Sequence, residues 1–181
     1  MENNRHFLLM AQYNQRMNHQ VYEAASRLTD AELRQNLGAF FGSVIGTLNH
    51  LMVGDLIWLR RFAKHSAHYQ TLNQLDALPV PTGLDDLIFN QLPPLDQTRK
   101  RLDQLILDWL ESDVQFEDLH RTLVYQNTRG IAFERDFGEL LSHLFNHQTH
   151  HRGQVSTLLS QLGQDVGVTD FLLDIPVVSD S

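Results

Sequence analysis

Apolar residues recur along most of the chain at the three- and four-residue spacing that is typical of amphipathic helices. The pattern predicts four long helices and one short helix. The short helix is expected at about residues 29–35, with Thr29 or Asp30 as its N-cap. Helices that each present one apolar stripe bury it against one another. The pattern therefore predicts an all-α fold, a four-helix bundle, in one domain over residues 1–181. The long helices are expected at about residues 7–28, 43–64, 95–112 and 136–163.

The connections between the long helices differ in character. Residues 65–83 include two prolines and are predicted to form a loop with short turns. Residues 123–125 and 131–133 are apolar and flank a turn-rich spacer, which favours a small β-hairpin between the third and fourth long helices. Asp136 is then predicted to cap the fourth long helix. Residues 171–173 are expected to pack back on the helices.

The last long helix carries histidines among its apolar residues. His143, His147 and His151 follow one another at intervals of four, and residues four apart lie above one another on one helix face. His150 and Arg152 fall on other faces. His147 and His151 lie near the middle of an apolar stripe that also contains Leu140, Leu144, Gln154, Val155 and Leu158.

A bound metal ion would explain an imidazole pair directed at a core. Neutral imidazole is a common metal ligand, and catalytic sites often combine three protein ligands with one open position. His50, on the inner face of the second long helix, is the natural third ligand. The alternative is that these histidines are hydrogen-bonded core or surface residues. Gly46 and Gly54, one turn before and after His50, fit either open space around its ring or close helix packing.

Composition narrows the classes of function. The 181 residues include 42% hydrophobic and 20% charged residues, as in a soluble globular protein. A formal net charge of -8 argues against nucleic-acid binding and against docking on anionic membranes. The absence of cysteine excludes a disulfide framework, a thiolate nucleophile and a cysteine zinc site. With no signal-peptide pattern and no membrane-spanning run, the sequence predicts a cytoplasmic protein.

Several polar residues near the histidines are candidates for supporting roles. His143 is expected either to hydrogen-bond a ligand or substrate or to lie at the edge of the apolar stripe. Gln154 is placed to orient His150 or His151, although a polar helix-face residue needs no such role. Asp55, five residues after His50, is predicted to be the structural partner of an arginine rather than a base.

Further residues are expected to have packing roles. Arg152 is predicted to form an ion pair or to meet solvent. Tyr13 and Asn14 are candidates to line the site. The alternative for Tyr13 is a place in the core with its hydroxyl group hydrogen-bonded. Trp58 and Trp109 are predicted to be core residues.

Two longer motifs extend the pattern around the histidines. Asn49 to Trp58 reads N-H-x-x-x-x-D-x-x-W, and His147 to Gln154 reads H-x-x-x-H-R-G-Q. With the segment at residues 168–170, these motifs resemble the DinB family, within the DinB/YfiT-like superfamily of metal-dependent enzymes. The resemblance covers nearly the whole chain.

The resemblance implies a four-helix bundle that binds a divalent metal through three histidines, which here match His50, His147 and His151. It also implies a homodimer and an association with stress or damage. Some relatives are thiol-cofactor-dependent transferases or isomerases, such as mycothiol-dependent maleylpyruvate isomerase. The resemblance names no substrate for this chain beyond a small molecule.

Three neutral histidines would leave the charge of a divalent ion uncompensated and at least one position open. Such an ion lowers the pKa of bound water toward about 7, polarises a carbonyl or binds a thiolate. Zinc or nickel suits the ligands. Gln148 stands where an H-E-x-x-H protease has glutamate, which disfavours a protease. The leading hypothesis is an enzyme that activates water or a low-molecular-weight thiol; the alternative is a non-enzymatic stress-associated protein with a structural metal.

Overall fold

The computed structural model describes residues 4–178, which are mostly helical, as the hydrophobic pattern predicts. Five α-helices lie in this range, together with 3-10 helices at Thr71–Ala77, Phe116–His120 and Phe171–Asp174. The α-helices are α1 (Arg5–Ala25), α2 (Asp30–Arg34), α3 (Val44–Phe62), α4 (Leu92–Ser112) and α5 (Phe137–Gln161).

Side-chain caps fix where α2, α3 and α5 begin. Thr29 and Glu32 form a reciprocal capping box at the start of α2, so the prediction for this short helix is confirmed. Ser43 accepts a hydrogen bond from the backbone N–H of Gly46 at the start of α3. Asp136 accepts one from the N–H of Glu139, which confirms it as the cap of α5. These caps satisfy backbone donors that have no partner inside a helix.

The predicted hairpin is confirmed, with its second strand starting one residue later than expected. Strands β1 (Thr122–Gln126) and β2 (Ala132–Asp136) pair antiparallel. Ile131 belongs to the turn instead, because its N–H donates to the Asn127 side chain and its carbonyl accepts from the Asn127 N–H. The hairpin leads directly into α5, whose cap is the last residue of β2.

The four long helices enclose the core. Helix α1 packs on α4 and α5, and α3 packs on α5 and α4. Trp109 is fully buried, as predicted, and its ring lies against Phe62 and Phe137. Helix α3 is covered on most sides, since most of its residues are buried. Both His50 and Asp55 therefore project from α3 into surroundings that other elements supply.

The segments outside the helices pack to different extents. In the predicted loop at residues 65–83, the 3-10 helix buries Leu72 and Leu75. The prediction that residues 171–173 pack back on the helices holds only for Phe171, whose ring centre lies 5.1 Å from that of Tyr13. Leu172 and Leu173 are exposed instead, because a single turn of 3-10 helix presents one side to the protein. Across residues 4–178, no helix combines the length and apolar character needed to cross a membrane.

Candidate metal centre

Three imidazoles from two helices converge on one point. Helices α3 and α5 lie side by side, and the Nε2 atom of His50 lies 3.1 Å from Nε2 of His147 and 3.2 Å from Nε2 of His151. One ligand atom from each of the three residues falls within 4.8 Å of the other two. The structure thus brings together the three histidines singled out in the sequence, in a group that could hold a metal ion.

Hydrogen bonds orient two of these rings. The Nδ1 atom of His50 lies 3.0 Å from the carbonyl oxygen of Leu84, and Nδ1 of His151 lies 2.8 Å from Oε1 of Gln154. Because these oxygens only accept, each Nδ1 carries the proton and each Nε2 presents a lone pair. Metal-binding histidines typically have such a partner on the other ring nitrogen. The role predicted for Gln154 toward His151 matches this geometry.

The ring of His147 is held by burial and not by a hydrogen bond to Nδ1. The Nδ1 atom of His147 is buried and has no hydrogen-bond partner among residues 4–178. Burial, with the neighbouring histidines, lowers the pKa of His147 to about 3. Burial also lowers the pKa values of His50 and His151. All three rings are therefore neutral at pH 7, which is the form that binds metal.

Two glycines in α3 leave room for neighbouring residues that pack against the helix. A Cβ atom on Gly54 would lie 2.7 Å from Cε1 of His147, so any larger residue would displace that ring. A Cβ atom on Gly46 would lie 2.2 Å from the backbone oxygen of Phe41. Close helix packing, one of the two explanations that the sequence left open, therefore accounts for Gly54, whereas Gly46 leaves room for the Phe41 backbone and lines the cavity beside His50. The ring of Phe41 stacks on that of His50, with 3.8 Å between the ring centres.

A cavity of about 650 Å³ opens beside His50. Its volume falls within the range of small-molecule sites. Phe40 projects into solvent at its edge, with 88% of its surface exposed. The side chains that line the cavity combine aromatic, acidic and basic groups and include Phe40, Phe41, Asp85, Asp86 and Arg34.

Comparison with known proteins identifies the family of the chain. The model of the DinB family matches residues 1–177. The chain belongs to the DinB family. A relative called Protein DinB, from Bacillus subtilis (strain 168), is 27% identical over 161 residues, which cover 88% of this chain and 88% of that protein. No solved structure gave a significant match.

A buried polar ring crosses the core of this DinB-family chain beside the histidines. Asp55 forms an ion pair with Arg99 at 2.6 Å, which confirms the predicted arginine partner. Arg99 also pairs with Asp103 at 2.9 Å. Asp103 accepts hydrogen bonds from Asn18 and, more weakly, from Asn14. We call these residues, with Gln148 and Arg152, the polar ring.

Helix α5 closes the polar ring. Gln148 donates to Asp55 and accepts from Arg152, and Arg152 donates to Asn14. The prediction that Arg152 forms an ion pair or meets solvent is therefore wrong: it is buried and bonds to amide oxygens. The reason is that α5 packs on both α3 and α1, so a second face of the helix is also covered.

Charge within the polar ring is balanced, since it contains two arginines and two aspartates. Burial raises the pKa of Asp103 to about 6, against the opposing effect of Arg99. Burial also lowers the pKa of Arg152 to about 10. Gln148 and Arg152 each follow a histidine of the triad, so the polar ring contacts α5 directly beside both of them. Asn14, which was expected to line the site, belongs to the polar ring and does not line the cavity beside His50.

Other candidate residues lie outside the triad. His143 is exposed and is not part of the three-histidine group. The Tyr13 hydroxyl donates to the carbonyl of Thr169. Trp58 is half-buried rather than a core residue, because it lies at the edge of α3 below the hairpin. Nothing in the expectations from the sequence included Asn18, Arg99, Asp103 or the bonding of Gln148. The available signal was the Arg99–Asp103 pair, four residues apart on the apolar face of α4.

Proposed function

We propose that this DinB-family protein is a metal-dependent enzyme in which His50, His147 and His151 bind a divalent cation. The observation that carries the proposal is the convergence of three neutral imidazoles, in which Nε2 of His50 lies within hydrogen-bond distance of Nε2 of both His147 and His151. Two of these rings point their lone pairs inward, and a cation is the partner that satisfies all of them together. We assign the four long helices to the four-helix bundle of the family.

The residues around the triad have separate tasks in this proposal. Leu84 and Gln154 hold the rings of His50 and His151, and Gly54 makes room for His147. The cavity beside His50 admits a small-molecule substrate. The bound ion, zinc or nickel, would supply positive charge to activate water or a low-molecular-weight thiol for hydrolysis or transfer. A homodimer is part of the proposal and would be tested by light scattering on the purified protein.

A cobalt-loaded protein distinguishes an enzyme site from a structural one. Cobalt(II) occupies zinc-type sites and reports changes of ligands in its visible spectrum. We expect added 2-mercaptoethanol to change that spectrum, because three protein ligands leave a position for a thiolate. An unchanged spectrum, with a large loss of thermal stability on chelation, would contradict the enzyme proposal and favour the structural metal.

A further inference from the structure

Two arginines near the triad lack an acidic partner. The guanidinium carbon of Arg61 lies 4.6 Å from the centre of the Trp58 ring and 5.1 Å from that of Tyr125. Across residues 4–178, neither Arg61 nor Arg135 has a carboxylate within salt-bridge distance. Their donors are therefore available to a ligand.

The hairpin register puts Arg135 on the side that faces the helices. Leu123 pairs with Arg135 and Tyr125 pairs with Phe133, so all four side chains share one face. Leu123 is buried, which identifies that face as the inner one. Glu134 and Asp136, the acidic residues on either side of Arg135, lie on the opposite face, where Glu134 accepts a hydrogen bond from Thr122. Arg135 therefore lies on the inner face of the hairpin, with its guanidinium carbon 5.5 Å from the centre of the Phe133 ring, and its side chain stays exposed.

His143 connects these arginines to the triad. Its ring centre lies 5.1 Å from that of Trp58 and 6.1 Å from that of His147. Arg61 also contacts Tyr125, which shares the inner face of the hairpin with Arg135, so both arginines lie on this side of the protein. We call Arg61, Arg135, His143, Trp58 and Tyr125 the arginine cluster. It begins one helical turn from His147.

We propose that the arginine cluster binds the anionic group, a carboxylate or a phosphate, of a small molecule whose apolar part lies against Trp58. Guanidinium groups bind both anions through paired hydrogen bonds. The rings of Trp58 and Tyr125 hold Arg61 in place before a ligand arrives, which reduces the entropy lost on binding. An anion held here would lie beside the triad. The inference that the bound molecule is a substrate rests on the proposed function. The inference that the arginine cluster binds an anion does not.

Calorimetric titration of the zinc-loaded protein tests the proposal. Phenyl phosphate and benzoate are the anionic probes, and benzamide is a neutral analogue of similar shape. We expect at least one anion to bind and benzamide not to bind; comparing the two anions separates a phosphate from a carboxylate site. The variants Arg61→Met and Arg135→Gln should each weaken anion binding about tenfold, as expected for a lost charged hydrogen bond.

Three controls make the test specific. Arg129→Gln, in the exposed turn of the same hairpin, should leave anion affinity unchanged. Arg135 is exposed, so its variant tests the proposal even if Arg61→Met disturbs the hairpin. Trp109 is fully buried, so an anion-dependent change in fluorescence should come from Trp58 and disappear in Trp58→Phe.

Two results would overturn the arginine cluster as an anion site. One is unchanged affinity for both anions in Arg61→Met and Arg135→Gln. The other is loss of anion binding in His147→Ala/His151→Ala, which would place the anion on the metal; we expect this variant to retain it. Zinc content is measured on the same samples. A parent protein without zinc would contradict the proposed function, while the anion titrations would still decide this inference.

Discussion

At the scale of single residues, Gly54 shows how one helix depends on a side chain from another. Glycine in a helix costs about 1 kcal/mol relative to alanine. Helix α3 contains it at the position where the His147 ring passes over the backbone. The sequence shows the glycine but not its reason, because His147 lies far along the chain on α5. Only the packing of α3 on α5 distinguishes this reason from open space around His50.

We therefore expect Gly54→Ala to weaken metal binding by roughly tenfold or more, since a displaced ligand loses its geometry. Zinc affinity would be measured by competition with a chelating dye, and thermal unfolding of the metal-free protein would be followed alongside. Gly153→Ala on α5 is the matched control, because a Cβ atom there would meet nothing within 4 Å. It should stabilise the protein by up to about 1 kcal/mol and leave zinc affinity unchanged. Parent-like affinity in Gly54→Ala would contradict this account of the site.

At the scale of elements, two neighbouring faces of α5 carry different groups of side chains. One face carries His147 and His151, and the next carries Gln148 and Arg152 of the polar ring. Hydrophobic periodicity predicted α5 and its first face correctly, because that face follows a single apolar stripe. The second face is polar, so periodicity could not show that α1 covers it. This is why Arg152 was expected in an ion pair or in solvent.

The polar ring should set the rotation of α5 and so the direction of its histidines. Gln148→Leu removes an amide that bonds to both Asp55 and Arg152 and leaves these charges short of a partner. We expect a loss of about 1.5–3 kcal/mol in the free energy of unfolding, measured by urea denaturation of the metal-free protein, together with weaker zinc binding. Gln104→Leu, at an exposed glutamine that donates to Asp108 and accepts a weak bond from Gln15, is the control and should stay within about 0.5 kcal/mol of the parent. A similarly small change in Gln148→Leu would exclude this role.

At the scale of the whole molecule, the sequence was informative about elements and much less so about their neighbours. The long helices, the α2 cap and the hairpin follow from local spacing and capping, which a sequence displays directly. The approach of α3 to α5 depends on contacts between distant segments, so it could only be inferred from the idea of a shared metal. The arginine cluster needs three segments at once, namely α3, the hairpin and α5, and no local pattern predicts it.

The central claim is that His50, His147 and His151 bind a divalent metal. It is tested most directly by metal analysis, by mass spectrometry, of untagged protein beside His147→Ala/His151→Ala. His150→Ala is the matched control, because this neighbouring histidine lies outside the three-histidine group. We predict about one equivalent of zinc or nickel in the parent and in His150→Ala, and none in the double variant. Negligible metal in the parent, even after loading with zinc and nickel, would contradict the claim and leave the three residues as hydrogen-bonded core histidines.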